Sequence, residues 1–423
     1  MIRYLALSFF LLALPSWTLG AEVLTWEDCV REAAQNNPDL AAAQAAVHQA
    51  RFQYQASYGN FFPQLSLDVG YDRANSTTNL QPFTAGSDMQ EQYSLGLTAR
   101  QSLFSGLRNR AELERTRAEL KVSEADLLTI KAQVGFDLKS AFAQALFAQE
   151  QLKLAEAIAS RRKENVRLLE IRYEAGREHK GSFLRSKAAY RQAEFELSQA
   201  KRAVKVAQRS LARVLGRSEF GEITVSGDFK VSPTGMPQDF HALALQTPVY
   251  LQPAAQARAA QAGVIIARGQ FYPEIAATGS VSRLGDAWPP DTDRWSVGAV
   301  LSFPLFSGGR DYFGLQGARA GERRAQENLH SAEYRILLDL EQTFAALQDG
   351  VERAEVQKDF LNAAGVRAEI ARSQYTSGLL SFEDWDIIEN DLITTQKQMI
   401  ASQRDMVIAE ADWERAQGRG SIP

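Results

Sequence analysis

Apolar and polar residues alternate with a two-residue period in four places along the chain. Leu65, Leu67, Val69 and Tyr71 alternate with Ser66, Asp68, Gly70 and Asp72. Tyr93, Leu95, Leu97 and Ala99 alternate with Ser94, Gly96, Thr98 and Arg100. In the second half Ile275, Ala277, Gly279 and Val281 alternate with Ala276, Thr278, Ser280 and Ser282. Trp295, Val297, Ala299, Leu301 and Phe303 follow, with Ser296, Gly298 and Ser302 between them. A two-residue rhythm puts one kind of residue on each face of a strand. It predicts strands over about 63–73, 92–103, 273–283 and 294–304. Each has the length that a tilted strand needs to cross a bilayer. The polar faces mix Asp68, Asp72, Arg100 and Glu274 with Gly, Ser and Thr, which suits a wet lumen as well as bulk solvent. Alternation alone leaves both open.

Two of the predicted strands end on the same four residues, Leu103-Phe104-Ser105-Gly106 and Leu305-Phe306-Ser307-Gly308. At each copy the period changes from two residues to that of a helix, with Ser and Gly at the junction. Phe104, Ser105 and Gly106, with Phe306, Ser307 and Gly308, are therefore read as strand-to-helix hinges. From Leu107 to Arg172 there is no proline, and glycine occurs only at Gly135. An unbroken helix over that run would reach ~100 Å. Val134, Leu138, Ala141 and Ala145, and then Leu337, Leu340, Phe344, Leu347 and Val351, follow the three-and-four spacing of a coiled-coil seam. Each long helix reverses at a matching turn, Tyr173-Glu174-Ala175-Gly176 and Tyr375-Thr376-Ser377-Gly378, where glycine supplies a left-handed residue. This gives two long helical hairpins, 107–215 and 309–417.

The halves repeat in register. Pro38 and Pro248, like Phe62-Pro63 and Tyr272-Pro273, are 210 residues apart. Beyond the strands the offset is 202, as for Leu103 with Leu305, Tyr173 with Tyr375, and Gly216 with Gly418. The change falls between the paired strands, at a loop tip, where insertions are tolerated. Such a duplication predicts two similar units, 21–216 and 248–418. Each opens with a helical stretch; the first, over 25–59, is broken at Asn36-Asn37-Pro38. A linker over 217–247 reads as a short strand at 222–225, a Pro/Gly loop and a short helix at 239–245. A tail of 419–423 closes the chain.

Composition narrows the class. The chain has 423 residues, 45% hydrophobic and 23% charged, with a net charge of −4, which excludes a disordered chain. Acidic and basic residues are interspersed, so no nucleic-acid partner is expected. Arg3, the apolar run Tyr4 to Leu14, Pro15 and the small-residue end Thr18-Leu19-Gly20 read as a signal peptide over 1–20, cleaved before Ala21. Cys29 is the only cysteine and is read as a buried small hydrophobe. No segment after residue 20 is long and apolar enough for a membrane helix. If this exported chain crosses a membrane, it does so with strands. There is no phosphate loop, GxGxxG, GxSxG or HExxH. His48, His179, His241 and His330 lack metal spacing, and Met89, Met236, Met399 and Met406 form no thioether cluster. No enzyme, cofactor or metal site is expected.

The signal peptide, two repeats of helix–strand–strand–long helical hairpin, a strand-ending LFSG and a Tyr-x-x-Gly turn at each hairpin tip together resemble the TolC-type outer-membrane efflux proteins. The resemblance covers essentially the whole mature chain. It implies a mainly α fold with a β-barrel portion: a homotrimer in which each chain gives four strands to a 12-stranded outer-membrane barrel, above a periplasmic α-helical tunnel. The linker would form a belt around that tunnel. Closure physics agrees: four strands cannot close in lipid, eight fill their own interior, and twelve leave a lumen. The resemblance further implies a passive exit duct in the outer membrane, docking to a periplasmic adaptor (membrane fusion) protein and an inner-membrane transporter. Tyr173, Gly176, Tyr375 and Gly378 would mark the docking tips. Asp384, six residues after Gly378, matches a constriction carboxylate of the family, with Glu383 beside it. The family's next acidic position is Ile387 here, its gate-side basic position is Leu380, and the first-repeat counterpart of Asp384 is Ser182. A different reading of Glu383, Asp384 and Asp386 is that they load the first turn of a helix, favoured by its dipole. A different reading of the whole chain is a periplasmic structural or adaptor-like coiled coil with no pore.

Overall fold

A computed structural model describes residues 22–76, 88–218, 221–231, 235 and 239–422. The expected signal peptide, and parts of the 217–247 linker, lie outside the described residues. In chain order the elements are β1 (Glu22–Leu24), α1 (Trp26–Asn36), α2 (Pro38–Ser57), β2 (Gln64–Ser76), β3 (Asp88–Phe104), α3 (Arg108–Glu174) and α4 (Lys180–Val214). There follow β4 (Ile223–Val225), α5 (Phe240–Ala244), α6 (Pro248–Gly269), β5 (Glu274–Gly285), β6 (Thr292–Ser302), α7 (Arg310–Thr376) and α8 (Phe382–Ala416). The two-residue rhythm located all four long strands. The outer ends of β2 and β3 run further than the apolar pattern, because the hairpin goes on pairing through polar residues. Phe303 and Pro304, expected in the last strand, lie outside β6. A proline has no N–H to give a ladder, which stops the pairing there.

The repeat is exact in length where it matters. The helices α3 and α7 both have 67 residues, and α4 and α8 both have 35. Both pairs keep the offset of 202 without a gap.

The chain divides into two compact units, and α3, α7 and α8 contribute residues to both. One unit holds 37–136, 232–349 and 409–423. Its centre is an antiparallel sheet in the order β2-β3-β5-β6. The register lines up like with like. Leu67, Leu97, Val281 and Trp295 form one row across the four strands, and Ser66, Thr98, Ser280 and Ser296 form the next. Successive residues of a strand point to opposite faces, so one face is aliphatic and aromatic and the other small and polar. The apolar face is bare: Trp295 is 78% exposed, Leu67 68% and Val281 63%. Helical packing in this unit uses small residues. Ala111, Ala118, Ala125 and Ala132 of α3 recur every seven residues and are all buried. Phe240, Phe344 and Trp413 form an aromatic cluster.

The other unit holds the residues up to Asn36 with 137–231 and 350–408. The short strands β1 and β4 pair in parallel. The side chain of Gln149 grips Val225, donating to its carbonyl and accepting from its N–H at 2.9 Å each. Trp26 packs edge-on against Phe142 at 5.5 Å, and Cys29 is fully buried. In α4, Ser186, Ala193, Ala200, Ala207 and Val214 recur every seven residues and are all buried. Alanine and serine at the seam positions let the helices approach closely.

Candidate functional site: the hinges and the hairpin tips

The first hinge is tightly built. Gly106 has φ +62°, and a Cβ on it would meet the Gly269 carbonyl oxygen at 2.6 Å and the Tyr272 Cβ at 2.7 Å. Only glycine fits both the conformation and the space. Ser105 Oγ accepts from the Asn109 N–H, as Ser307 Oγ does from Asp311 in the second hinge. Arg108 then donates to Glu274 at 2.7 Å, tying α3 to the start of β5. Gly308 has φ +65° but nothing within 4 Å of an added Cβ. Phe306 is 88% exposed, whereas its counterpart Phe104 is 37% exposed. The two copies of LFSG share the left-handed glycine and the serine cap but differ in surroundings, and Leu103 and Phe104 belong to β3 while Leu305 and Phe306 lie beyond β6. One residue on, Gly309 is left-handed in the second copy, and Leu107 takes the same conformation, φ 69°, at the strain an L residue carries there.

Both tip turns close the same way. The Gly176 N–H donates to the Tyr173 carbonyl and the Arg177 N–H to the Arg172 carbonyl. Gly378 to Tyr375 and Leu379 to Gln374 repeat this pair of bonds. This is the Schellman arrangement, which requires the left-handed glycines at φ +72° and +80°. The two tyrosines part company. Tyr173 stacks on Phe183 and is partly exposed at 38%. Tyr375 is 1% exposed: its ring lies flat on Trp385 at 4.5 Å, and the Arg172 guanidinium sits 4.5 Å above it. Its hydroxyl donates to Glu178 at 3.1 Å. The Tyr375 side chain is therefore core in this chain, not docking surface. The bare apolar residue at this turn is Leu379, 80% exposed.

Burial, with Glu178 next in effect, pushes the Tyr375 hydroxyl up from its ordinary value of 10 to about 12. A phenol whose value is raised on folding stabilises the fold below pH 10 and loses that contribution as pH climbs through about 12. Hydrogen exchange of the α7–α8 turn is expected to speed up over that window in the native chain. Tyr375→Phe should remove this alkaline step and cost about 1 kcal/mol at neutral pH, the usual net worth of one hydrogen bond.

Glu383 and Asp384 open α8 and are both exposed. Asp384 accepts from Ser381 Oγ at 2.6 Å, and its own N–H donates back to that oxygen at 3.1 Å. The Ser381 hydroxyl thus caps the first turn of α8 and Asp384 orients that hydroxyl, the helix-end role left open above. The third acid of that turn is different. Asp386 is 4% exposed and receives Arg162 at 2.9 Å and Arg185 at 2.9 Å on its two oxygens. Arg162, itself 6% exposed, also donates to Asn390 Oδ1 at 2.7 Å. The cluster joins the first hairpin to the second. It sits between two apolar groups, Leu169, Tyr375, Phe382 and Trp385 on one side and Ile158, Ala193 and Ile393 on the other. Sequence reasoning placed Asp386 only in a helix turn. Its partners are 201 and 224 residues away, so no local spacing could have signalled them.

The family profile described as Outer membrane efflux protein matches residues 29–217 and 243–419. The cation efflux system protein CusC of Escherichia coli K12 is 25% identical over 390 residues, covering 88% of this chain and 81% of CusC. The solvent efflux pump outer membrane protein SrpC of Pseudomonas putida is 24% identical over 404 residues, covering 92% and 84%. The crystal structure of the outer membrane protein VceC from Vibrio cholerae superposes with a TM-score of 0.80 at 21% identity, covering 93% of this chain and 96% of that one.

Proposed function

Because the chain belongs to the outer membrane efflux protein family, a family of outer-membrane channels and not of enzymes, we propose that it is the passive exit duct of a tripartite efflux pump or a type I secretion system. In this reading three copies give their four-stranded sheets to one 12-stranded barrel in the outer-membrane lipid. The helical hairpins continue the duct through the periplasm, where they meet an adaptor protein and an inner-membrane transporter. The observation that carries the reading is the sheet itself. Its bare apolar face backs onto a face of Ser, Thr and Gly, and its outer strands β2 and β6 pair on one side only, with β3 and β5, among the described residues. Lipid tolerates no open edge, so the sheet must close with others. Small uncharged groups such as Ser66, Thr98, Ser280 and Ser296 on the inner face fit a wide, wet and unselective duct. The relatives include a cation and a solvent pump at nearly equal identity, so likeness does not choose a cargo. The energy for transport would come from the partner transporter.

The test is single-channel conductance of the detergent-extracted protein in planar bilayers, beside Asp384→Ala. A small conductance that grows or loses cation selectivity in the variant supports a duct with a ring of Asp384 carboxylates. A conductance indifferent to it keeps the duct and leaves Asp384 as the partner of Ser381 in the helix cap. A protein that stays soluble without detergent and conducts nothing would return the chain to a poreless periplasmic coiled coil.

A further inference from the structure

At the foot of the sheet, where β3 runs into α3, there is a cavity of about 430 Å³, the size of a site for a small molecule. Gln64, Arg100, Ser102 and Glu274 line it from the small, polar face of the sheet, and Arg108 and Glu112 from the start of α3. All three guanidinium nitrogens of Arg108 are engaged: with the Ser105 carbonyl at 3.0 Å, the Gln270 amide oxygen at 3.4 Å and Glu274 at 2.7 Å. Both oxygens of Glu112 are held by Arg115, at 2.6 and 3.0 Å, and Arg115 also reaches Glu119 at 3.1 Å. Arg100 is left over. Its one polar contact among the described residues is Glu274 at 3.5 Å, a carboxylate that Arg108 already neutralises, and 56% of its side chain is open. The hinge does not need this charge. In the second repeat Arg100 corresponds to Ser302, at the offset of 202, and the chain turns from strand to helix there without it. The row of Arg100 in the sheet is otherwise neutral, with Gln64, Thr278 and Gly298, and so is the next row on that face, Ser66, Thr98, Ser280 and Ser296. One row further, Asp68 and Arg294 offset each other.

We propose that this cavity is an anion site in the wall of the duct, where Arg100 takes the carboxylate or phosphate group of a small molecule on its way through. The site rests on the duct reading for its cargo alone: every lining residue belongs to one chain, so the cavity is complete in a single copy. A guanidinium is planar and offers paired N–H donors that match two oxygens of a carboxylate or a phosphate. The surroundings add to it. The Gln270 amide oxygen accepts from Arg108, which leaves its NH2 group to donate, and the amides of Asn60 and Gln64 line the same space. The first turn of α3, a helix of 67 residues, brings the positive end of a helix dipole to the cavity. The two carboxylates that would repel an anion are the ones already bound by Arg108 and Arg115. The wall is thus unselective along its rows of Ser, Thr and Gly, and holds one station that favours small organic anions over cations.

The first arm of the test is titration calorimetry of citrate, and separately of inorganic phosphate, into the detergent-extracted full chain at low salt. Native chain, Arg100→Ser and Arg100→Lys are compared. Arg100→Ser puts at this position the residue that the second repeat carries in its place, and an unchanged thermal transition shows that the variant is folded. Binding is expected to weaken about tenfold in Arg100→Ser and less in Arg100→Lys, which keeps the charge but not the fork. It should also weaken as salt is added. A response to citrate alone or to phosphate alone supports the site and names its anion. No binding by the native chain, or equal binding by Arg100→Ser, overturns it. The second arm is channel current in planar bilayers with citrate on the barrel side. Block that needs about tenfold more citrate in Arg100→Ser supports a site in the path of the cargo. Block at the same concentration in both chains removes the site and keeps the duct. A chain that binds citrate through Arg100 but conducts nothing keeps the site and sinks the duct.

Discussion

Asp386→Ala is expected to destabilise the hairpin tips by about 3–5 kcal/mol, because it removes the carboxylate bonded to the buried Arg162 guanidinium and leaves that charge the Asn390 amide oxygen as its hydrogen-bond acceptor. The cost comes from the charge left behind and not from any large net worth of the pair. The cluster's other members set the scale. Arg185 has 56% of its side chain in water, so Arg185→Ala should cost no more than about 1 kcal/mol. Replacing both buried partners, Arg162→Met with Asp386→Leu, should return stability to within about 1 kcal/mol of the native chain, because two apolar groups of similar size need no charge desolvated. Native-state hydrogen exchange is the fitting measurement, since it reports local opening without requiring reversible unfolding of a membrane assembly. Faster exchange confined to α3 and α8 around residues 162 and 386, restored in the double variant, is the expected pattern. Equal protection in Asp386→Ala and the native chain would mean that water reaches Arg162 and that the cluster is not sealed.

The second large effect separates folding from assembly. Gly106→Ala should cost roughly 2–5 kcal/mol: about 1–2 for an L residue at a left-handed φ, and about 1–3 for a Cβ forced against the Gly269 carbonyl and Tyr272. Those neighbours are backbone and Cβ atoms, so no side chain can swing aside. Gly308→Ala carries only the conformational cost, about 1–2 kcal/mol, in a chain where nothing lies within 4 Å. Gly59, the counterpart of Gly269 at the offset of 210, also has nothing within 4 Å of an added Cβ; if Gly308 meets Gly59 of the next copy, the rest of its cost appears at assembly. Pulse-labelled chains scored for protease-resistant monomer and for trimer should then show Gly106→Ala failing at the first step and Gly308→Ala at the second. Identical profiles for the two variants would show that the hinges are equivalent and that the repeat register does not extend to the joint between copies.

Much of this fold is legible along the chain, because period and punctuation are local. The two-residue rhythm marked β2, β3, β5 and β6; the first LFSG marked where β3 stops, whereas β6 stops at Ser302, ahead of Pro304 and the second copy. The tip glycines are the left-handed residues that the turns needed. The alanine seams were legible only in part. Leu138 and Leu340 stand out as core, while the buried seven-residue series Ala193, Ala200 and Ala207 blends into a helix rich in alanine throughout. The tips were least legible. Tyr173 and Tyr375 occupy matching places in matching turns, yet one is partly exposed and the other is stacked under Trp385. Asp384 and Asp386 sit in one helical turn, yet one caps its own helix and the other binds two arginines from the first hairpin.

The sequence by itself determined the duplication, the four strands and their faces, the two hairpins, and that no run after residue 20 is apolar enough for a membrane helix. All of these follow from residues within a few positions of one another, where strand pleat, helix pitch and the φ range of glycine act directly. Tertiary structure alone decided that Arg162 and Arg185 converge on Asp386, that only glycine fits at 106 against Gly269 and Tyr272, and that Gly308, Phe306 and Ile387 are left bare. Those outcomes depend on which helix face meets which across two hundred residues of chain. Two repeats of equal helix length offer every such face twice, and only packing chooses which copy is covered.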